Sequence, residues 1–318
     1  MFWRFYHLFN QSFPPAPTWS VDEIPDQTGR VHLVTGGYAG IGRETVKALL
    51  NKNATVYIAA RSRTKAEAAI AALKQETGRE ALFLELDLAS LSSVHHAATK
   101  FLAKEKELHV LYNNAGVMFT DMKLLTADGY DLQFGTNVLG HYYFTELLLP
   151  ALKAGRARII NVSSIATLLI PAPTSTFDIL RDGAQRQNLG LGATYRMYGL
   201  SKLGNALHAK ELDRRYASAG IVSIAVNPGN ISTDLYQNVQ SLIRRLFFDM
   251  ILYPPPIGAI TQLYAGTAPE AASMGGQFLV PWARPGPASP KVSDVGLARR
   301  MWEWLEEQVS HYEEKRKD

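Results

Sequence analysis

The chemistry of this chain is first visible in two residues four positions apart. Tyr198 and Lys202 stand in Tyr198-Gly199-Leu200-Ser201-Lys202. If the stretch is helical, their side chains share one face. A free tyrosine titrates near ~10. A neighbouring ammonium favours the phenolate and lowers that value, which fits Tyr198 to pass a proton near neutral pH. Taken alone, the pair reads equally as an exposed aromatic beside a solvated Lys. Tyr195 competes for the role but has Gly199, not a Lys, four residues on. A second constellation lies near the start, in Thr35-Gly36-Gly37-Tyr38-Ala39-Gly40-Ile41-Gly42. It follows an apolar run and opens a helical pattern. Glycines there let backbone approach a pyrophosphate, and the helix start offers it N–H groups and a positive dipole end. The next apolar run ends Ala59-Ala60-Arg61-Ser62-Arg63. An acid at this place binds the ribose hydroxyls of NAD, whereas an Arg accepts a 2′-phosphate. Arg61 therefore predicts NADP(H). Arg63, Lys65 and Arg43 are further candidates, and the bland reading of these cations is a solvated helix start.

These residues need a scaffold, and the hydrophobic pattern supplies one. Apolar runs at 31–34, 55–60, 82–86, 108–112, 158–162 and 221–226 read as strands. Helical patterns at 41–51, 65–76, 91–105, about 129–152 and 195–217 fall between or after them. Strands alternating with helices of this length imply parallel βαβ units. The strands lack clean alternation, as expected when helices cover both faces of the sheet. The expected fold is α/β: a single Rossmann-type doubly wound parallel sheet. The segment 167–193 is a long connection, and connections of that length are usually functional or disordered.

The glycine spacing, Gly36-x-x-x-Gly40-x-Gly42, together with the Tyr198/Lys202 pair, resembles the short-chain dehydrogenase/reductase family in its classical form. Further segments carry the resemblance in the family's order: Leu86-Asp87-Leu88, Asn113-Asn114-Ala115-Gly116, Thr136-Asn137-Val138, and Asn227-Pro228-Gly229-Asn230-Ile231-Ser232-Thr233. The resemblance implies that Tyr198, Lys202, Ser164 and Asn137 form the catalytic group. It places Asp87 near the adenine, where the competing reading is a helix N-cap. Asn114 would lie against the cofactor or stabilise the sheet. Gly36, Gly40, Ile41 and Gly42 would line the pyrophosphate site, and Ile231 and Thr233 would meet the nicotinamide amide and the diphosphate. Asn137 would hold a water linked to Lys202. The family's serine is usually the second of a pair such as Ser163-Ser164, although Ser163 remains open. Ser164 and Tyr198 are 34 positions apart, longer than in most members but similar to retinol-dehydrogenase-like ones. The extra length is 167–193, expected to wall the substrate pocket. Retinol-dehydrogenase-like and fungal members are closest in look, which suggests a small, lipophilic carbonyl or alcohol as substrate, interconverted by hydride transfer as in a carbonyl reductase.

Composition agrees with an enzyme-sized core: 47% of the 318 residues are hydrophobic and 19% charged. Net charge is +4 and the pI about 9.1, without the basic clusters of a nucleic-acid binder. No nucleic-acid partner and no metal are expected. With no cysteine, thiolate chemistry and disulfides are excluded. The expected location is cytoplasmic. Residues 1–28 read as an irregular lead-in rich in Pro and aromatics, followed by one NADP-binding domain over 29–318. Phe2, Trp3, Phe5, Tyr6 and Phe9 are expected to pack on the protein's own surface, with peripheral membrane contact as the alternative. Leu242, Ile243, Leu246, Phe247, Met250 and Ile251 recur at helical spacing. They suggest a substrate lid over about 234–258, a membrane-facing patch, a dimer contact or plain core packing. A C-terminal helix is expected at about 294–314. The family often forms homo-oligomers. Two rival readings are a non-catalytic NADP(H)-binding regulator on the same fold and a membrane-surface scaffold.

Overall fold

The computed structural model describes residues 2–170, 177–233 and 252–317. Eight strands form one sheet: β1 Val31–Thr35, β2 Thr55–Ala60, β3 Leu82–Glu85, β4 Val110–Asn113, β5 Arg158–Val162, β6 Val222–Val226, β7 Phe278–Val280 and β8 Arg284–Pro285. Their spatial order is β3-β2-β1-β4-β5-β6-β7-β8. All neighbours pair in parallel except β7 with β8. The order reverses between β1 and β4, and ligands of such sheets bind at that switch, beyond the carboxyl ends of the strands.

Successive strand residues feed two different cores. Leu33, Leu111, Ile159 and Ala225 pack on one face, and Val34, Tyr112, Ile160 and Val226 on the other. Burial on both sides is why these strands are mostly apolar and lack strict alternation. On the second face, α2 (Gly40–Asn51) buries Val46, Leu49 and Leu50, and α3 (Arg63–Thr77) buries Ala66, Ala69, Ile70 and Leu73. These are the i, i+3, i+4, i+7 positions of an amphipathic helix. Ser62 caps α3, accepting from Lys65 N at 3.4 Å. The first face is covered by α4 (Leu91–Lys104), a helical run beginning with α5 (Leu132–Phe134) and continuing into α6 (Gly140–Ala154), then α8 (Ala193–Tyr216) and α10 (Val295–Lys317). The short α7 (Ala184–Gln187) lies in the long connection, and α9 (Pro255–Thr267) packs beside α2.

Several expectations need correction. The lead-in is not irregular throughout, because Phe2–Ser12 form a helix, α1. No Pro or Gly interrupts the chain before Pro14, so nothing breaks the helix there. The helix expected from about 129 starts at Leu132, where Asp131 caps it by accepting from Phe134 N at 2.8 Å. It then contains a π-turn over Gly135–Leu139. β7 and β8 are too short to leave a periodic signal. Most of the expected lid, 234–251, lies outside the described residues. Among the described residues no helix is long and apolar enough to cross a membrane.

The connection between Ser164 and Tyr198 contributes to the core at several points. Ile170, Ile179 and Leu180 are buried. Arg186 forms an ion pair with Asp131, the two side chains being 3% and 1% exposed, and also donates to Met122 O at 2.7 Å. Removing one partner of a buried pair leaves the other charge uncompensated. Arg186→Met is therefore expected to destabilise the fold by ~3–5 kcal/mol, read as a lower urea midpoint. An unchanged midpoint would show that the pair does not tie this segment down.

Candidate active site

The cofactor half of the site is built from the β1–α2 turn. Gly36 sits at φ +68°, in the left-handed region that favours glycine. A Cβ on Gly42 would fall 2.4 Å from Gly36 O, so the turn closes only without a side chain there. Ala39, at the N-cap of α2, makes no side-chain cap, which leaves the helix start facing a cleft of about 900 Å³. Gly36, Gly40, Ile41, Gly42, Asn114 and Thr233 line this cleft, as does Ile231.

At the far end the four candidate cations separate. Arg63 is held by Glu67 and Glu85 and lies over the Phe83 ring. Arg43 is paired with Glu44 and Glu76 and does not line the cleft. Lys65 does not line the cleft, whereas Arg61 does and has no ion-pair partner among the described residues. Asp87 also lines the cleft, with its Oδ1 accepting from Ala89 N at 3.0 Å. The N-cap of α4 is Ser90, not Asp87. An open helix start and a carboxylate at the cleft edge suit the pyrophosphate and adenosine ends of a nicotinamide dinucleotide, so the residues present fit that class of cofactor.

The catalytic half hangs from β5 and α8. Tyr198 and Lys202 both line the cleft. Lys202 is only 4% exposed, donates from Nζ to Val162 O at 3.0 Å, and lies 5.8 Å from the centre of the Tyr198 ring. Burial pushes its pKa down to about 8. Asn205 Nδ2 shares the same acceptor at 2.9 Å. The two serines divide their work. Ser163 is buried and its Oγ donates to Lys202 O at 2.7 Å, stitching α8 to β5. Ser164 is partly exposed at the cleft, its Oγ accepting from Ala166 N at 3.2 Å.

Asn137 sits in the π-turn, fully buried. Its Oδ1 accepts from Val117 N at 2.8 Å, and its Nδ2 donates to Val117 O and to Ser201 Oγ at 3.0 and 2.9 Å. The side chain therefore braces the loop after β4. Its carbonyl meets His141 Nδ1 at 2.9 Å. Burial holds His141 neutral, with its pKa pushed down to about 4. A carbonyl can only accept, so Nδ1 carries the proton and Nε2 accepts. Thr35 Oγ1 lies 2.9 Å from Nε2 and 3.2 Å from Tyr112 O, the two acceptors open to its one proton, and its lone pairs accept from the N–H groups of Asn114 and Ala115 at 3.0 and 2.9 Å. Asn114 Nδ2 also donates to Thr35 O at 2.8 Å.

Sequence reasoning missed Thr35, Ser201 and the structural use of His141. Only their distant partners distinguish them, and no local pattern reports those. It also missed the aromatic wall. Phe119 packs between Tyr195 and Tyr198, with ring centres 4.5 and 5.4 Å away. Leu169 and Ile170 from the long connection and Leu8 from α1 extend the apolar lining. Arg196 lines the same region, its Nε buried without a hydrogen-bond partner among the described residues.

A protein of Armillaria gallica described as a short-chain dehydrogenase/reductase is 50% identical over 312 residues, covering 96% of this chain and 99% of that one. The chain is a short-chain dehydrogenase/reductase. The short chain dehydrogenase family model matches residues 30–176. A short-chain dehydrogenase/reductase of Phomopsis amygdali is 37% identical, covering 98% of this chain and all of that protein. Among solved structures, an uncharacterised protein of Mycobacterium paratuberculosis superimposes with a TM-score of 0.67 at 28% identity, over 92% of this chain and 97% of that one. Pseudomonas aeruginosa RhlG, solved with NADP, gives 0.62 at 25% identity, over 80% and 94%. This short-chain dehydrogenase/reductase is thus an oxidoreductase of a family that binds NAD(P) and acts on small molecules.

Proposed function

We propose that this short-chain dehydrogenase/reductase interconverts a lipophilic carbonyl and its alcohol using NADP(H), with Tyr198 as proton donor and acceptor. The observation that carries the reading is the convergence of Tyr198, Lys202 and Ser164 on one apolar-walled cleft whose other end holds Arg61, without an ion-pair partner among the described residues. NADP(H), when bound, supplies or takes up the hydride. The α2 start would hold its pyrophosphate, Arg61 its 2′-phosphate and Asp87 its adenine end. Ile231 and Thr233 would flank the nicotinamide end. Ser164 Oγ and Tyr198 Oη orient the substrate oxygen. In reduction, Ser164 stabilises the charge developing on that oxygen and Tyr198 delivers the proton to it. The Lys202 ammonium favours the phenolate left behind. Ser163 and Asn137 keep Lys202 and the loop after β4 in place. Phe119, Leu169 and Ile170 exclude water from the reacting centre and favour apolar substrates.

The test is consumption of NADPH against a panel of lipophilic ketones and aldehydes, with NADH run in parallel. Charge-assisted hydrogen bonds contribute ~1.5–3 kcal/mol, so Arg61→Asp is expected to raise the KM for NADPH about tenfold or more. The same change should leave NADH use intact or improved. NADH bound at least as tightly as NADPH by the wild type, with no response to Arg61→Asp, would overturn the NADP(H) assignment.

A further inference from the structure

α1 is folded inside out for a helix in water. Its polar residues Asn10, Gln11 and Ser12 face the body of the protein. Gln11 is buried, donating to Pro287 O at 3.0 Å and accepting from Asn227 Nδ2 at 2.9 Å. Asn10 Oδ1 accepts from Arg284 at 3.3 Å. The aromatic residues point the other way, with Phe2 83%, Phe5 68% and Phe9 58% exposed, and Trp3 and Tyr6 about half exposed. A surface helix normally turns its apolar stripe to the core, and a contiguous exposed patch of this kind marks an interaction site. Helices that lie in a lipid interface carry Trp and Phe on one side and cations beside them.

We propose that α1 docks this enzyme on an anionic lipid surface, with its aromatic face in the headgroup boundary. Charge selects the occupant. α1 contains no acid, and Arg4, itself exposed, stands on the stripe of Gln11 opposite the aromatic face, the polar side where interfacial helices carry their cations, with no ion-pair partner among the described residues. Lys291, close enough to feel the Arg4 charge, and Arg284, beside Tyr6, add cations around the helix. A second copy of the chain would bring the same positive charge against this one, whereas anionic lipid neutralises it. Position gives the docking a use. Leu8 and Ser12 line the cleft, as do the half-exposed Leu169 and Tyr195. The docked face is therefore continuous with the mouth of the pocket, and an apolar substrate could pass from lipid to cleft without crossing water. That use rests on the proposed reaction, but the docking does not.

The experiment is co-sedimentation of the full chain with vesicles of phosphatidylcholine alone and of phosphatidylcholine with phosphatidylserine. The wild type is expected to partition to the anionic vesicles, with Trp3 fluorescence quenched by brominated lipid. Phe2→Ser/Phe5→Ser/Phe9→Ser should lose binding by about tenfold or more, with melting temperature and NADPH binding unchanged as the check on folding. Arg4→Glu should weaken anionic binding about fivefold or more and leave binding to neutral vesicles unaltered. Equal partitioning of the triple variant and the wild type would overturn the proposal. So would an absence of bromolipid quenching in the wild type. A concentration-dependent dimer that the triple variant abolishes, without vesicle binding, would assign the face to self-association instead. Failure of docking would leave the reductase reading standing, because turnover on soluble ketones is read separately.

Discussion

Tyr198→Phe is expected to lower kcat by about 10²–10⁴-fold with NADPH affinity essentially unchanged. The substitution removes one hydroxyl and keeps the ring, so the edge contact with Phe119 persists. The hydrogen bond that Ser201 Oγ makes at this position goes to the Tyr198 backbone carbonyl, at 2.8 Å, and is untouched. Loss of rate can then be assigned to the lost proton donor and not to a disturbed helix. The measurement is kcat under saturating NADPH and ketone, paired with a direct binding titration of the cofactor. A variant that turns over as fast as the wild type would place the proton donor elsewhere and remove the central claim about this site.

Lys202→Met should move activity and stability in opposite directions. Lys202 is an ammonium that burial holds near a pKa of about 8 against an ordinary 10.5. Below about 8 the folded and unfolded chains both carry the proton, and the folded state bears the full desolvation penalty. Between about 8 and 10.5 only the unfolded chain keeps it, so stability contributed by this group rises with pH across that window. Methionine fills similar space without the charge. Val162 O loses Lys202 but retains Asn205 Nδ2 as a donor. The variant is expected to gain ~1–3 kcal/mol at neutral pH and to lose the rise between pH about 8 and 10.5. Its kcat should fall by about 10²-fold or more. Urea unfolding at pH ~7 and ~9.5 reads the first two effects and steady-state turnover the third. A destabilised variant would show that the ammonium is better satisfied in the cofactor-free protein than its single described acceptor implies. Such a result would fit a general pattern in which catalytic groups are kept at the expense of the fold.

Most of the sheet was legible in the sequence because it is doubly covered. β2 and β5 begin and end where the sequence reading placed them, since burial on both faces keeps their interiors largely apolar. Tyr198 and Lys202 were legible because one helix carries both, and the glycine turn because its function is local. What failed to show depends on partners far along the chain. The division between Ser163 and Ser164 is decided by Lys202 O, 39 positions from Ser163. The bracing role of Asn137 depends on Val117 and Ser201. Glu44 stands beside Arg43 in sequence, but the second acid that holds Arg43, Glu76, lies a full helix away and leaves no local pattern. α1 escaped notice because an aromatic face turned outward breaks the rule by which helices are read.

The Thr35 hydroxyl has a consequence for the order in which the enzyme comes into being. It joins the end of β1 to the loop after β4 and, through His141, to the helix that carries Asn137. Its most distant partner is 106 positions away. A chain emerging from the ribosome synthesises the glycine turn early, yet this junction cannot close until His141 has been made and its helix has docked. Closing such long-range contacts is the slow part of folding. The glycine turn and the helix that carries Asn137 therefore settle together, and a nascent fragment ending before His141 would carry a glycine turn whose neighbouring loop is not yet fixed.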